Sequence, residues 1–455
     1  MTATAARHRQ PPRPAGSSAA PSAAPAPGQA RGRGALPTPA ALRLLLAGLV
    51  LLSLAWGAFG GWVADEHSSA ASALVTVDEP LSLDAQQMYQ SIADADATVT
   101  GALLASSQPS LQLVQRYQRD IATAAADLSR LRAGDAGPGA NASLTALSGG
   151  LSDYAGYVAE ARAEYAMGYP LSGGSFVQVA SEEAHLVLLP AARAVFTRED
   201  ASRGAASSQA TGLPLVVVAV ALAVLTGYVL LRAQRWLTRR TNRVFSPGLV
   251  LTSVLLVVSV IWLAAGFLAA RSDLDSGINH GAAPARDLAL ASIGVQQIRG
   301  DAVLNVISRS GNASFSDDFA ATSKQIGPGA GSWLSTAAGA QQPGGRGTAL
   351  VAAAEQDAPA WYTANQGVYS LGSKASYTAE QNLVVGTGPG STAVGYSALE
   401  TDLSDAIQAD QAVFATGATA GQHVLDPLAW VVIVASLLMA AGSGWAVSRR
   451  LAEYR

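Results

Sequence analysis

The chain has no cysteine. That excludes disulfides, thiol catalysis, iron–sulfur clusters and thiolate zinc sites together. Charge is scarce: 13% of the 455 residues are Asp, Glu, Lys or Arg, where a soluble chain carries about 25%. Lysine is nearly missing, with Lys324 and Lys374 the only two. There are five histidines, and His67, His185, His280 and His423 lack the i, i+4 or paired spacing of zinc ligands. Neither Gly327-Pro-Gly-Ala-Gly nor Gly386-Thr-Gly-Pro-Gly ends in the Lys-Ser/Thr of a phosphate loop, and no serine stands in a nucleophile-elbow pattern. The expectation is therefore no enzyme, no cofactor, no metal site and no nucleic-acid partner.

What the chain does have is apolar length. It is 49% hydrophobic, and a spanning helix needs about 20 mostly apolar residues. Residues 44–64, 213–231, 248–270 and 427–447 qualify, and none of these segments contains Asp, Glu, Lys, Arg or His. The plan is then a Pro/Ala/Arg-rich disordered tail (1–43), a first span (44–64), a long segment (65–212) and a second span (213–231). A short basic loop (232–247), a third span (248–270), a second long segment (271–426), a fourth span (427–447) and a C-terminal tail (448–455) follow. Span, long segment, span, then the same again, reads as an internal repeat. Carriers place ionisable groups inside the membrane, and these spans have none, which argues against transport.

The net charge of −3 conceals a strong polarity. Arg7, Arg9, Arg13, Arg31, Arg33 and Arg43 precede the first span, and Arg232, Arg235, Arg239, Arg240 and Arg243 fill the central loop, with no acid in either. Residues 66–212 hold eight basic against 16 acidic residues, and 272–426 hold six against 14, a balance of −8 each. Basic flanks stay cytoplasmic. Both termini and the central loop are therefore predicted inside a multi-pass cell-membrane protein, and both long segments outside.

Each long segment reads as a four-helix bundle. In the first, Leu81, Ala85, Met88, Ile92, Ala95, Val99 and Ala102 repeat at intervals of three and four residues. So do Val114, Tyr117, Ile121, Ala124, Leu128 and Leu131, and again Leu144, Leu147, Leu151, Tyr154, Val158, Ala161 and Tyr165. A fourth helix starts near Phe176, with a kink predicted at Pro190. Such spacing gives each helix one apolar seam. The second segment repeats the pattern less regularly, with Leu288, Ala291, Val295, Ile298 and Ala302 in one seam and Tyr396, Leu399, Leu403, Ala406, Asp410 and Val413 in another. Asp410 is the polar exception. Breaks fall at Gly327-Pro-Gly, Gln342-Pro-Gly-Gly-Arg-Gly and Gly386-Thr-Gly-Pro-Gly. So many seam alanines imply close helix approach and marginal stability for either bundle alone. The fold class is an all-α membrane protein: four transmembrane helices with two extracytoplasmic four-helix-bundle domains in tandem.

Two features could carry a signal. Arg232, Arg235, Arg239, Arg240 and Arg243 lie beside the membrane, where they set topology and attract anionic lipid or an acidic cytoplasmic partner. Gly57 and Gly61, Ala265 and Ala269, and Ala440 and Gly444 have small-xxx-small spacing. That spacing serves first of all helix packing inside one membrane bundle, with a homodimer as the alternative use.

The Pro-rich basic tail, the paired helical segments and the loop ending Arg243-Val-Phe-Ser-Pro-Gly-Leu249 together resemble one known family. Tyr165-Ala-Met-Gly-Tyr-Pro-Leu171, Leu188-Leu-Pro-Ala-Ala192 and Arg299-Gly-Asp301 are local echoes of it. The chain is similar to the actinobacterial GlnX-like four-span membrane proteins of the protein kinase G sensing system. The resemblance implies amino-acid sensing, with a glutamine- or glutamate-binding lipoprotein outside and a soluble serine/threonine kinase inside. It carries over no catalytic or ligand residue. Two other readings remain: a chemoreceptor-like sensor that binds its ligand directly, and a membrane scaffold or transport accessory subunit.

Overall fold

The computed structural model describes residues 38–105, 111–134, 140–241, 247–308, 313–327, 329–371, 377–386 and 388–452. The predicted tail lies outside them up to residue 37, and so does Arg243 of the basic loop. Among the described residues there is no strand, and four helices are long and apolar enough to cross a membrane. The chain is an all-α membrane protein.

Proline shapes the long helices. α1 (Thr38–Ala73) runs without a break through a π turn at Leu74–Asp78 into α2 (Glu79–Ala105). α5 (Pro170–Glu183) passes through a π turn at Ala184–Leu188 into α6 (Leu189–Ala210), and α8 (Pro247–Gly277) passes through Ile278–Ala282 into α9 (Ala283–Ser308). Each π turn ends two residues before a proline: Pro80, Pro190 and Pro284. Proline has no N–H and its ring collides with the carbonyl four residues back. A widened turn relieves that collision by admitting one extra residue, and Glu79, Leu189 and Ala283 donate their N–H groups five residues back, to Leu74, Ala184 and Ile278. The kink predicted at Pro190 takes this form, and the same device recurs at two prolines that periodicity did not single out.

The first long segment forms four helical columns: α2, α3 (Leu111–Ala133), α4 (Ala140–Ala166) and α5–α6. Ala85, Met88, Ile92, Ala95 and Ala102 of the first seam are buried, as are Tyr117, Ala124, Leu128, Leu131, Leu144, Leu147, Tyr154 and Val158 of the next two. α7 (Pro214–Thr241) then carries the second span.

The second segment is more broken. Its rising column is α9. The descending column is split into α10 (Ala313–Ile326) and α11 (Trp333–Ala340), both packed on α9. The split follows the predicted break at Gly327, and α11 restarts where Ser332 caps it by accepting the Ser335 N–H. α12 (Arg346–Leu371) rises again, α13 (Tyr377–Val385) is short, and α14 (Thr392–Ala452) returns through the membrane. α14 has 61 residues, about 90 Å at 1.5 Å per residue. Asp410 is buried in its seam because the Gln341 carboxamide donates to its carboxylate at 2.8 Å.

The two bundles share one apolar core. Ala85, Met88, Ile92, Leu188 and Phe196 of the first belong to the same buried cluster as Leu288, Val295, Ile298, Leu399 and Leu403 of the second. We call this joint unit the head. A second cluster runs through the spans and up to Leu74, Ala210, Leu274 and Phe414 at the base of the head.

In the membrane layer α14 packs against both α1 and α8, while α7 lies outside that trio against α1 and α8. Glycine sets the separations. A Cβ on Gly57 would collide with Ser436, and one on Gly61 would come within 3.0 Å of Ile433 Cγ1. Between α8 and α14, a Cβ on Gly417 would lie 2.8 Å from Gly277 Cα, and one on Gly281 2.7 Å from Asp410 O. Gly277/Gly281 and Gly417/Gly421 are thus two facing small-xxx-small pairs just above the spans. Ala265 and Ala269 instead point away from the bundle, and the neighbouring Gly266 makes the close approach, to Leu428. Ala440 and Gly444 are half-exposed, with open space around Gly444.

Candidate functional site

Where the bundles meet, α2 and α5 of the first pack on α9 of the second and α13 touches α2, while His185 of the π turn after α5 and Tyr396 of α14 reach across. The contact is apolar at its centre and polar along one seam, built mainly from α9. Arg299, Gly300 and Asp301 are consecutive residues, and all three touch the first bundle.

Arg299 reaches Asp94 of α2 at 3.4 Å and lies over the Tyr396 ring of α14, 4.1 Å from its centre. The Tyr396 hydroxyl donates to the same Asp94 oxygen at 3.4 Å. Arg116 of α3 stands 3.9 Å from Asp94. One carboxylate therefore collects a cation and a phenol from the second bundle and a second cation from its own.

Gly300 leaves room for His185. The imidazole occupies the space a side chain at 300 would fill. Its Nε2 is 3.3 Å from Asp96 of α2 and its Nδ1 is 3.7 Å from Asp301 of α9. Ser181 donates to Asp96 at 3.0 Å, fixing that carboxylate from the first bundle's side. Burial by itself lowers the His185 pKa, but the close carboxylate of Asp96 and the charge of Asp301 outweigh it and leave the value raised. Burial pushes Asp301 up to about 6, with His185 pulling the other way and Asp318 adding to the rise. Asp96 Oδ1 and Asp301 Oδ2 are buried with no hydrogen-bond partner within the described residues.

A third set lies lower along the seam. Gln90 of α2 donates to Ser292 of α9 at 3.1 Å, and Ser292 donates to Glu400 of α14 at 2.8 Å. Gln296 donates to the same Glu400 oxygen at 3.2 Å. Burial raises the Glu400 pKa to about 8, against the lowering effect of these two hydrogen bonds. Below the seam, Arg286 of α9 pairs with Asp200 of α6, which also pairs with Arg203, and Arg203 reaches Glu79 at 3.2 Å.

Among the described residues no group of three or more His, Asp or Glu side chains could hold a metal ion. The seam's chemistry is proton and charge balance between two packed bodies.

The comparisons with known proteins follow the same division of the chain. Residues 70–208 match the family model of the actinobacterial sensor domain. The match starts in the last turn of α1 and ends in α6, so it spans the first bundle with both of its π turns. No curated protein and no solved structure matches the chain. The match to a sensor domain over this part of the chain supports a sensing and signalling role.

The residues singled out from sequence fall in separate places. Arg232, Arg235 and Arg239 are exposed on the last turns of α7, with Arg235 and Arg239 one turn apart, and among the described residues none of the three is in an ion pair. Arg240 lies on the same helix end, and Arg243 is outside the described residues. Gly57 and Gly61 meet α14, as described above. The seam residues Asp94, Asp96, His185 and Glu400 carried no signal of their own in the sequence. Arg299-Gly-Asp301 did stand out, as a short motif without a role.

Proposed function

We propose that the chain is a transmembrane signal transducer of the cell membrane, with both termini and the loop after α7 in the cytoplasm and the head outside. It reports extracytoplasmic amino-acid availability, received through a solute-binding lipoprotein docked on the head, to a cytoplasmic serine/threonine kinase. The observation that carries this reading is mechanical. The helices that form the inter-bundle seam, α2, α9 and α14, are the helices that run unbroken into three of the four spans.

A change in how the bundles meet would displace those helices along or about their axes. Packed helices have discrete arrangements, so a small shift at the seam transmits rather than dissipates. The π turns at Leu74–Asp78 and Ile278–Ala282 sit between seam and membrane, where one residue of helical register is already loose. α7 lies at the rim of the membrane bundle, so it can follow a shift of α1 and α8 and present Arg232, Arg235, Arg239, Arg240 and Arg243 differently to the partner. The acidic head suits a lipoprotein with a basic face, and the arginines suit an acidic kinase surface or anionic lipid.

The test replaces Arg235, Arg239, Arg240 and Arg243 by Gln in the full chain. Expression and topology should hold, because the tails and Arg232 keep the positive-inside bias, while amino-acid-dependent phosphorylation by the kinase is lost. Unchanged phosphorylation would remove the loop as the output.

A further inference from the structure

The seam's lower end opens into a cleft of about 340 Å³ between α2 and α14. Gln86, Gln87 and Gln90 line one wall, and Ser404, Gln408 and Gln411 line the other. Leu83 and Ile407 supply the apolar part. No lining side chain is charged, on a head whose two segments each carry −8. The volume is in the range of small-molecule sites, about 300–1,000 Å³.

The carboxamides are available. Gln86 is only 8% exposed, yet among the described residues neither it nor Gln87, Gln408 or Gln411 hydrogen-bonds to another group. The Gln86 amide atoms are not shut off from solvent but reach the open cleft, where water or an entering solute can bond them. Gln90 gives its N–H to Ser292 and keeps its carbonyl oxygen for the cleft.

We infer that this cleft binds a small uncharged solute rich in hydroxyl groups, of about monosaccharide size, held between α2 and α14. Each carboxamide offers an acceptor and two donors side by side, which match the paired donor and acceptor of vicinal hydroxyls. The two aliphatic side chains suit the C–H face of a sugar ring. A free amino acid fits less well, because its ammonium and carboxylate call for charged partners and the lining has none. The position gives binding a consequence. One wall belongs to the helix that continues through α1 and the other to α14, and these two helices pack together in the membrane. Gln90 also begins the Ser292–Glu400 chain, so an occupied cleft draws on the inter-bundle seam directly.

The inference rests on the head being the sensing part, and not on the lipoprotein or the kinase. Its test therefore uses the full chain in lipid nanodiscs without either partner. Isothermal titration with glucose, galactose, myo-inositol, glycerol, glutamine and glutamate, each into the millimolar range, should give saturable heat with at least one of the four polyols. Gln86→Leu and Gln411→Leu should weaken that binding by at least about tenfold, the loss of about 1.4 kcal/mol or more. Should Gln86→Leu unfold, Gln87→Ala with Gln408→Ala, both exposed at the rim, must show the same weakening with an unchanged melting curve. No binding by any polyol, binding by glutamine or glutamate alone, or polyol binding untouched by the glutamine variants would each overturn the proposal. The relay reading would survive any of them, since it is read by phosphorylation.

Discussion

His185 of the first bundle lies on Gly300 of the second, in the space any larger side chain at 300 would need. The bundles are keyed together there by one ring and one missing Cβ. Gly300→Ala should therefore push them apart and destabilise the head by about 1–3 kcal/mol, the cost of overpacking a fitted contact. Adding His185→Ala removes the ring and should recover part of the loss. Thermal unfolding of the four chains in one detergent gives the coupling between the sites, and strict additivity would mean that the two residues do not meet.

The seam should weaken as the outside becomes alkaline. The folded state raises the pKa of His185, so its contribution is fully present below the unfolded value near 6.5 and is lost as pH rises through the higher folded value. Asp301, raised from 3.8 to about 6, has the same sign, its contribution fading between those values. Glu400, raised from 4.5 to about 8, extends the trend. His67 at the base of the head runs the other way, since burial lowers its pKa, so its contribution fades on acidification below about 6.5. Melting midpoints measured from pH 6 to 9 should fall steadily, and His185→Gln should flatten the slope. A midpoint that rises across this range would contradict the assignment of these groups.

Above the membrane, α8 and α14 also approach closely at Gly277 against Gly417. Gly417→Ala would set a methyl 2.7 Å from Asp273 O and 2.8 Å from Gly277 Cα, backbone atoms that cannot turn aside. It should cost about 1–3 kcal/mol. Ala265→Leu, on an outward-facing position of α8, should stay within about 0.5 kcal/mol. Denaturant titration of the detergent-solubilised chains compares the two. Equal effects would mean that α8 and α14 do not pack as described.

Much of the fold was legible because it is local. A period near 3.6 survives in Ala85, Met88, Ile92 and Ala95 whatever those residues pack against, and an 18-residue apolar window declares a span by itself. Helix breaks at glycine and proline were legible for the same reason, although Gly327 splits one column and does not end it.

The candidate site was not legible, because it is made by distant partners. His185 reads as a lone histidine until α2 and α9 bring Asp96 and Asp301 to it. Alanine-rich seams suggested bundles too weak to stand alone, and the shared core is the reply, yet nothing periodic says which faces would join. The pairs Gly277/Gly281 and Gly417/Gly421 escaped because they lie among polar residues outside the spans, the first across a π turn.

The central claim is that head and membrane move as one. Because the chain has no cysteine, spin labels can be placed without background. Arg43→Cys and Ser448→Cys put one label at the membrane-side end of α1 and one at that of α14, both at exposed positions. Pulsed electron–electron resonance on the full chain in nanodiscs would measure the distance between them, with the seam intact and with Gly300→Val wedging it open. The account predicts a shifted distance distribution in the wedged protein, although the substitution is tens of ångströms from either label. Identical distributions, with the head still folded, would show that the seam does not speak to the membrane.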